Sequence, residues 1–354
     1  MGIVLSILIM VLILGVLVTV HEAGHFFAAK LSGIRVNEFA IGMGPKIWKK
    51  QKGETLYSVR AFPIGGFCAM EGEDGGSEDP RCFGNAKYWK RFVVLIAGSF
   101  MNFIVGLLVL MIIALPMTTV IEPVIKNFGK DFPLTDTLQT GDRLVKVNGH
   151  AIYQASDVEM FLEMGQGRLF DLVVEREGQR LTFDDVNFPK QMYLREDGSS
   201  IRHSGLVYES HDATFGDKIS AGWYDTVHYV RLVWVTLGEL FNGNAAVTDL
   251  MGPVGMGSVV NQIVERPEAT TKEKALNVLD FLALIAVNLA VMNMLPLPAL
   301  DGGRILFMVI GMIRRKPLPS KAEGYVNAAS FVLLMGLMVF VFFNDILRLF
   351  GVAI

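Results

Sequence analysis

The chain has 354 residues, of which 52% are apolar and only 19% charged, and its mean hydropathy of +0.43 excludes an ordinary soluble globular protein. A formal net charge of -3 says nothing useful about partners, and with no basic arm and no aromatic-basic interleaving no nucleic acid is expected as one. Two cysteines, Cys68 and Cys82, are too few and too widely spaced for a disulfide framework or a thiolate metal site, and are read as reduced thiols.

The first element is an uncharged run from Ile3 to Val20 that continues without a break into His21-Glu22-Ala23-Gly24-His25. If this stretch is helical, His21 and His25 lie one turn apart on one face, so two imidazoles can grip one ion with Glu22 beside them to carry protons. A polar patch where a helix emerges among headgroups is the structural alternative. Ionisable side chains at membrane depth are costly, however, and by default mark a function. Met1-Gly2 supplies no basic n-region and no small-residue cleavage site follows, so the segment, 1–33, is expected to be a transmembrane helix rather than a cleaved signal.

Residues 34–87 read as a β element and loop on the cytoplasmic side. Thr55–Phe62 and Ile64–Met70 have strand-like content, interrupted by Pro63 and by Gly65-Gly66. A small sheet here could pair an unwound substrate segment along its edge through main-chain bonds, with Gly65 and Gly66 as candidate contacts; a plain hairpin is the alternative. Glu71–Asp79 is acidic and Gly-rich. A second span, 88–117, is apolar from Phe92 to Leu115 apart from Ser99 and Asn102.

Residues 118–189 read as a compact domain. Arg143–Val147, the turn Asn148-Gly149 and His150–Ile152 signal a hairpin; Ser156 with Glu159 predicts a capping box; Leu169–Arg176, Glu177-Gly178 and Leu181–Phe183 signal a second hairpin. From 190 to 274 the pattern thins to a linker with one amphipathic helix, on which Ile219, Trp223, Val227, Val230, Trp234, Leu237 and Phe241 recur at steps of three and four, suited to the outer membrane surface, with packing against the preceding compact domain as the alternative. His150, His203, His211 and His228 are isolated and are not expected to be ligands.

A third span, 275–304, is apolar from Phe281 to Leu295 and is followed by Pro296, Pro298 and Asp301-Gly302-Gly303. A loop, 305–325, and a fourth span with tail, 326–354, complete the chain. Basic residues after the first span, before the second and after the third place those flanks in the cytoplasm and the long 116–280 connection outside. The first and third spans then run in the same direction, and Asp301 arrives at the depth of His21 and His25. Two histidines and one carboxylate leave a fourth position open for water, the arrangement of a catalytic zinc site. A helix-capping role for Asp301 is the alternative.

The two motifs, H-E-x-x-H at His21–His25 and N-x-x-P-x-P-x-L-D-G-G at Asn293–Gly303, resemble those of the site-2 protease family of intramembrane zinc metalloproteases, in particular its bacterial branch. Further likeness lies at Phe39–Pro45, Gly65-Gly66-Phe67, Gly252-Pro253-Val254 and Phe343-Asn344-Asp345. The family commonly has A-G-P-x-x-N-F in the second span, where this chain reads Ala97-Gly98-Ser99-Phe100-Met101-Asn102-Phe103, without the proline. The resemblance implies a polytopic α-helical membrane protein of four transmembrane helices, with a membrane-associated β element and one extracytoplasmic PDZ domain. It implies zinc on His21, His25 and Asp301, Glu22 as catalytic base, and Asn293 holding substrate, with Asn102 a further candidate. It also implies single-span membrane proteins as substrates (anti-sigma factors or signal-peptide remnants), an upstream site-1-type protease, and a bacterial inner membrane as the location, with the active site towards the cytoplasm. The competing classes are a membrane-anchored PDZ binding protein with a vestigial metal site, disfavoured because all ligands and Glu22 are present, and a zinc transporter.

Overall fold

The computed structural model describes residues 2–73, 77–130, 132–164, 169–188, 193–194, 200–201, 205–244, 246, 250–316 and 320–349. His203 and the middle of the expected acidic loop, 74–76, lie outside them. In chain order the elements are α1 (Gly2–Leu31), β1 (Val36–Lys52), β2 (Thr55–Met70), α2 (Tyr88–Ala114), β3 (Thr119–Phe128), β4 (Arg143–Val147), β5 (His150–Ala151), α3 (Ala155–Met164), β6 (Leu169–Arg176), β7 (Gln179–Asn187), β8 (Tyr193–Leu194), β9 (Ser200–Ile201), β10 (Leu206–Asp212), α4 (Phe215–Phe241), α5 (Pro253–Glu265), α6 (Thr271–Asn293), α7 (Asp301–Arg314) and α8 (Ser320–Leu349). They form two compact units, Met1–Leu110 with Tyr229–Ile354, and Met111–His228. Among the described residues, four helices are long and apolar enough to cross a membrane: Val4–Leu31, Tyr88–Ala114, Thr271–Asn293 and Glu323–Arg348.

In the first unit α1 is apolar all round, yet it has a buried stripe. Ser6, Met10, Ile13 and Leu17 are buried while Val4, Leu5, Leu8, Leu12 and Val16 are exposed. The stripe packs on Val260 of α5 and on Phe281, Ile285 and Ala286 of α6. Steps of three and four keep these residues on one side, and His21 and His25 continue the same line. The third span is longer than its apolar run, because Thr270 and Glu273 close a reciprocal capping box and start α6 ten residues before Phe281. Residues expected in a loop after position 304 are helical as far as Arg314.

α5 had no counterpart in the sequence reading. Its start is capped from another helix: Asp345 of α8 accepts a hydrogen bond from the Gly255 backbone N–H at 2.7 Å. The two short motifs around Gly252 and Asp345 are thus one structural joint, a carboxylate set at the positive end of a helix.

The β element departs from expectation in continuity. β2 runs through Pro63 and the glycine pair, and β1 is a second long strand that includes Pro45. Both strands bend where their pairing changes. Glu38–Ile41 face Leu56–Val59 on one edge and Gly66–Ala69 on the other, while Lys46–Lys52 return along Thr55–Arg60. Prolines are tolerated because they fall at these irregularities. Glu38 ties the bend together, accepting from Ser58 Oγ at 2.7 Å, Arg60 Nη2 at 2.8 Å and Lys46 Nζ at 2.9 Å.

In the second unit the sheet order is β10-β3-β4-β6-β7, with β5 paired to β4. Both hairpins form; Asn148, Gly149, Glu177 and Gly178 take the positive φ their tight turns need. The sheet recruits β10 from beyond position 189. Asp142 is fully buried and pairs through both oxygens with Arg176 at 2.7 and 2.8 Å. The expected capping box at Ser156 is replaced, because α3 begins at Ala155 and Asp157 accepts from the Tyr153 backbone N–H at 2.9 Å; Glu159 instead receives the Tyr208 hydroxyl. α4 covers the amphipathic stretch and begins in this unit, where Ile219 and Trp223 are exposed; its part from Tyr229 onwards, with exposed Trp234 and Phe241, belongs to the first unit.

Burial alone would push the Glu38 carboxyl up, but its bonds to Ser58, Lys46 and Arg60 outweigh it and hold the group down at about 2. A depressed folded-state value means stability that is present above the ordinary carboxylate range and lost as pH falls through about 2. Amide protection across β1 and β2, the slowing of exchange relative to an unstructured chain at the same pH, is therefore expected to stay high at neutral pH and to fall from about pH 4 downwards. In Glu38→Gln it is lower at pH 7 and flatter against pH.

Candidate metal centre

His21 and His25 are both buried, at 9% and 7% exposure. α7 begins at Asp301, the turn 294–300 having freed the backbone after α6. Asp301 thus both opens a helix and faces the histidines. Its Oδ2 lies 3.2 Å from His21 Nε2 and 3.3 Å from His25 Nε2, and the two Nε2 atoms are 3.2 Å apart. Among the described residues this is the one group of histidine, cysteine and acidic side chains arranged to hold a metal.

The donor set fits zinc. Three ligands about 2.0–2.1 Å from a tetrahedral ion stand about 3.3 Å from one another, which matches the triangle of 3.2–3.3 Å. One proton shared between two Nε2 atoms at 3.2 Å would satisfy that pair alone, and Asp301 Oδ2 has no hydrogen-bond partner among the described residues. A cation between them resolves all three. His25 Nδ1 donates to the Val94 carbonyl at 2.8 Å, so Nε2 presents its lone pair to the centre.

Close backbone approach makes the room. A Cβ on Gly98 would lie 2.4 Å from His25 Nε2 and 2.7 Å from His21 Cε1, and one on Gly24 would lie 2.3 Å from the Ala97 carbonyl oxygen. α2 can therefore back the imidazoles only with glycine at 98. Gly302 and Gly303 serve α7 in the same way: a Cβ on either would come within 2.2 Å of the Leu295 or Leu297 carbonyl oxygen. The glycine pair lets the Asp301 turn nest into the segment before it.

Glu22 lines the same cavity, of about 340 Å³, with both histidines, Asp301, Arg304 and the strand residues Phe67–Met70. Its carboxylate faces the backbone N–H of Cys68, and its Cγ is the side-chain atom nearest to where a Cβ on Gly66 would sit. Glu22 is thereby held between the metal triad and the outer row of β2. Arg304 closes the cavity through an ion pair with Glu73. Cys68 lines the wall as a free, buried thiol whose ionisation is pushed up by burial, which suits an inert wall rather than a ligand.

Among the other candidates, Gly66 precedes the cavity-lining Phe67, with the Glu22 Cγ 3.6 Å from where its Cβ would sit, whereas Gly65 packs against Met43 with φ +89°. Asn293 is the last residue of α6, half-buried, and is not among the cavity-lining residues. Asn102 is 1% exposed and likewise not among them. His150 stacks on Phe161; His211 and His228 pair with carboxylates of the second unit. The sequence reading missed Gly98, Val94 and the Arg304–Glu73 pair. The small-residue run Ala97-Gly98-Ser99 was the available sign of close helix packing; nothing in the sequence marks the other two.

A histidine pair with an adjacent glutamate on a helix of membrane length, and a carboxylate that opens the short helix α7, make a donor set that fits zinc in a multi-pass membrane protein. The chain belongs to peptidase family M50, whose model matches residues 9–337. It is 37% identical over 335 residues to a Clostridium perfringens protein, covering 94% of this chain and 95% of that one. It is also 33% identical over 341 residues to a Clostridium acetobutylicum protein, covering 96% and 97%. A Fusobacterium nucleatum relative is 29% identical over 365 residues, covering 98% of this chain and all of its own. Each relative bears the name "putative zinc metalloprotease". The protein is a zinc-dependent metalloprotease.

Gly98→Ala puts a methyl group onto the imidazoles. The expected outcome is loss of bound zinc, by metal analysis of purified protein, with helical circular dichroism unchanged. Full zinc occupancy in that variant would contradict the packing described.

Proposed function

We propose that this protease cuts peptide bonds in or next to transmembrane segments of single-span membrane proteins, in a bacterial inner membrane, with its site towards the cytoplasm. The observation that carries the reading is that His21, His25 and Asp301 converge within 3.3 Å at the end of a helix of membrane length. The positive-inside flanks support the orientation.

His21, His25 and Asp301 hold the metal, and Glu22 is the base. When bound, zinc supplies a lowered pKa, towards ~7, for a water and polarisation of the scissile carbonyl. Glu22 takes the proton as the water oxygen bonds to the carbonyl carbon, and returns it to the amine nitrogen as the C–N bond breaks. A helical peptide bond is shielded by its own turn, so substrate must be extended first. The outer row of β2, Gly66–Ala69, beside Glu22, suits pairing with such a segment through main-chain bonds. Asn293 and Asn102 were candidates for substrate contact; Asn293, at the end of α6 just before the turn that leads to Asp301, keeps that role here.

The second unit supports a PDZ reading through its two hairpins, its short helix α3 and the Gly141-Asp142-Arg143-Leu144 turn. On this reading it stands outside the membrane and either binds peptide ends or screens out bulky ectodomains. Anti-sigma factors or signal-peptide remnants are the substrate classes implied by the family resemblance, with an upstream site-1-type protease preparing them.

Glu22→Gln is the decisive variant. It is expected to retain zinc and to lose cleavage of a purified single-span substrate by about 10²–10⁴-fold, measured by mass spectrometry of products in detergent. Zinc binding without any Glu22-dependent cleavage would favour a membrane-anchored binding module instead.

A further inference from the structure

Three buried polar groups near the triad have no partner among the described residues: His21 Nδ1, Ser99 Oγ, and both side-chain polar atoms of Asn102. Ser99 is 3% and Asn102 1% exposed. Such groups are costly to leave unmatched in an apolar interior, and most costly where lipid replaces water around the helices.

Their positions converge. Gly98 of α2 touches the His21 imidazole at Cε1, the atom bonded to Nδ1. Asn102 is one turn further along the same face of α2, and Gly106, a turn beyond, meets Val287 and Ala283 of α6. Asn102 therefore sits in the seam of α1, α2 and α6. Helical side chains lean towards the N-terminal end, so the Asn102 carboxamide leans back over the turn that Gly98 leaves bare. Ser99, three residues before Asn102, borders the same space.

We infer that Asn102 is a positioning residue for the metal ligand His21: His21 Nδ1–H donates to one buried water, which is also bonded to Ser99 Oγ and donates to the Asn102 carboxamide oxygen. This link does for His21 what the Val94 carbonyl does for His25. It fixes the tautomer that leaves Nε2 free for the ion and holds the ring's orientation. Asn102 on this account touches no substrate. The inference rests on the zinc-protease reading of the site.

The test is zinc affinity of the full-length protein in nanodiscs, by competition with a chromogenic chelator, alongside thermal stability of the zinc-free form. Asn102→Leu is expected to weaken zinc binding about ten- to a hundred-fold, with zinc-free stability unchanged or raised, because an unmatched polar group has been removed. Asn102→Asp keeps an acceptor oxygen and is expected to stay within a few-fold of the parent. Unchanged affinity in Asn102→Leu overturns the inference, and so does equal loss in both variants with lowered zinc-free stability, the signature of seam packing alone. If the parent protein binds zinc and loses it in His21→Ala yet ignores Asn102, only this inference fails. A parent that binds no zinc overturns the underlying reading with it.

Discussion

Everything in the first unit answers to one constraint: two imidazoles and a carboxylate are held within 3.3 Å of one another in a buried interior. An unmatched charge in such surroundings costs several kcal/mol, and a cation between the three donors removes that cost. The helices are shaped to allow this. Glycine at 24 and 98 brings α2 against α1, and glycine at 302 and 303 brings the Asp301 turn in from the other side. The ligand residues lie on the same buried stripe of α1 that packs on α5 and α6.

The β element is the second consequence. Val36, Cys68 and Met70 pack with Ala29 of α1 and with Val94 and Leu95 of α2 in one apolar cluster, which anchors the sheet beside the site. The Glu38 network holds the bent strands in register, and the outermost row of β2 comes to lie along Glu22. Glu22 is thus placed between the metal donors and a sheet edge. α8 contributes from a distance, since Asp345 caps α5, which in turn packs on α1.

Much of this was legible in the chain itself. Four apolar runs announced the long helices, and the spacing of His21 and His25 with Asp301 after a proline-broken span pointed to a shared ion. What was hidden depended on contacts between distant segments. β1 contains Pro45 and several lysines and lacks clean alternation, because its two halves pair with different partners. α5 is short, and its cap lies some ninety residues away on Asp345. The start of α6 lies in polar sequence, so hydropathy saw only its apolar half, whereas Thr270 and Glu273 mark the true beginning. Gly98 looks like any small residue in a membrane helix until the imidazoles behind it are seen.

The account is tested most directly by X-ray absorption at the zinc edge on the purified, metal-loaded protein. It predicts a shell of light atoms at about 2.0–2.1 Å containing two imidazoles and no sulfur, lost on changing Asp301 to alanine. A sulfur shell near 2.3 Å, which would place the ion on cysteine, or a spectrum unmoved by the Asp301 change, would contradict it.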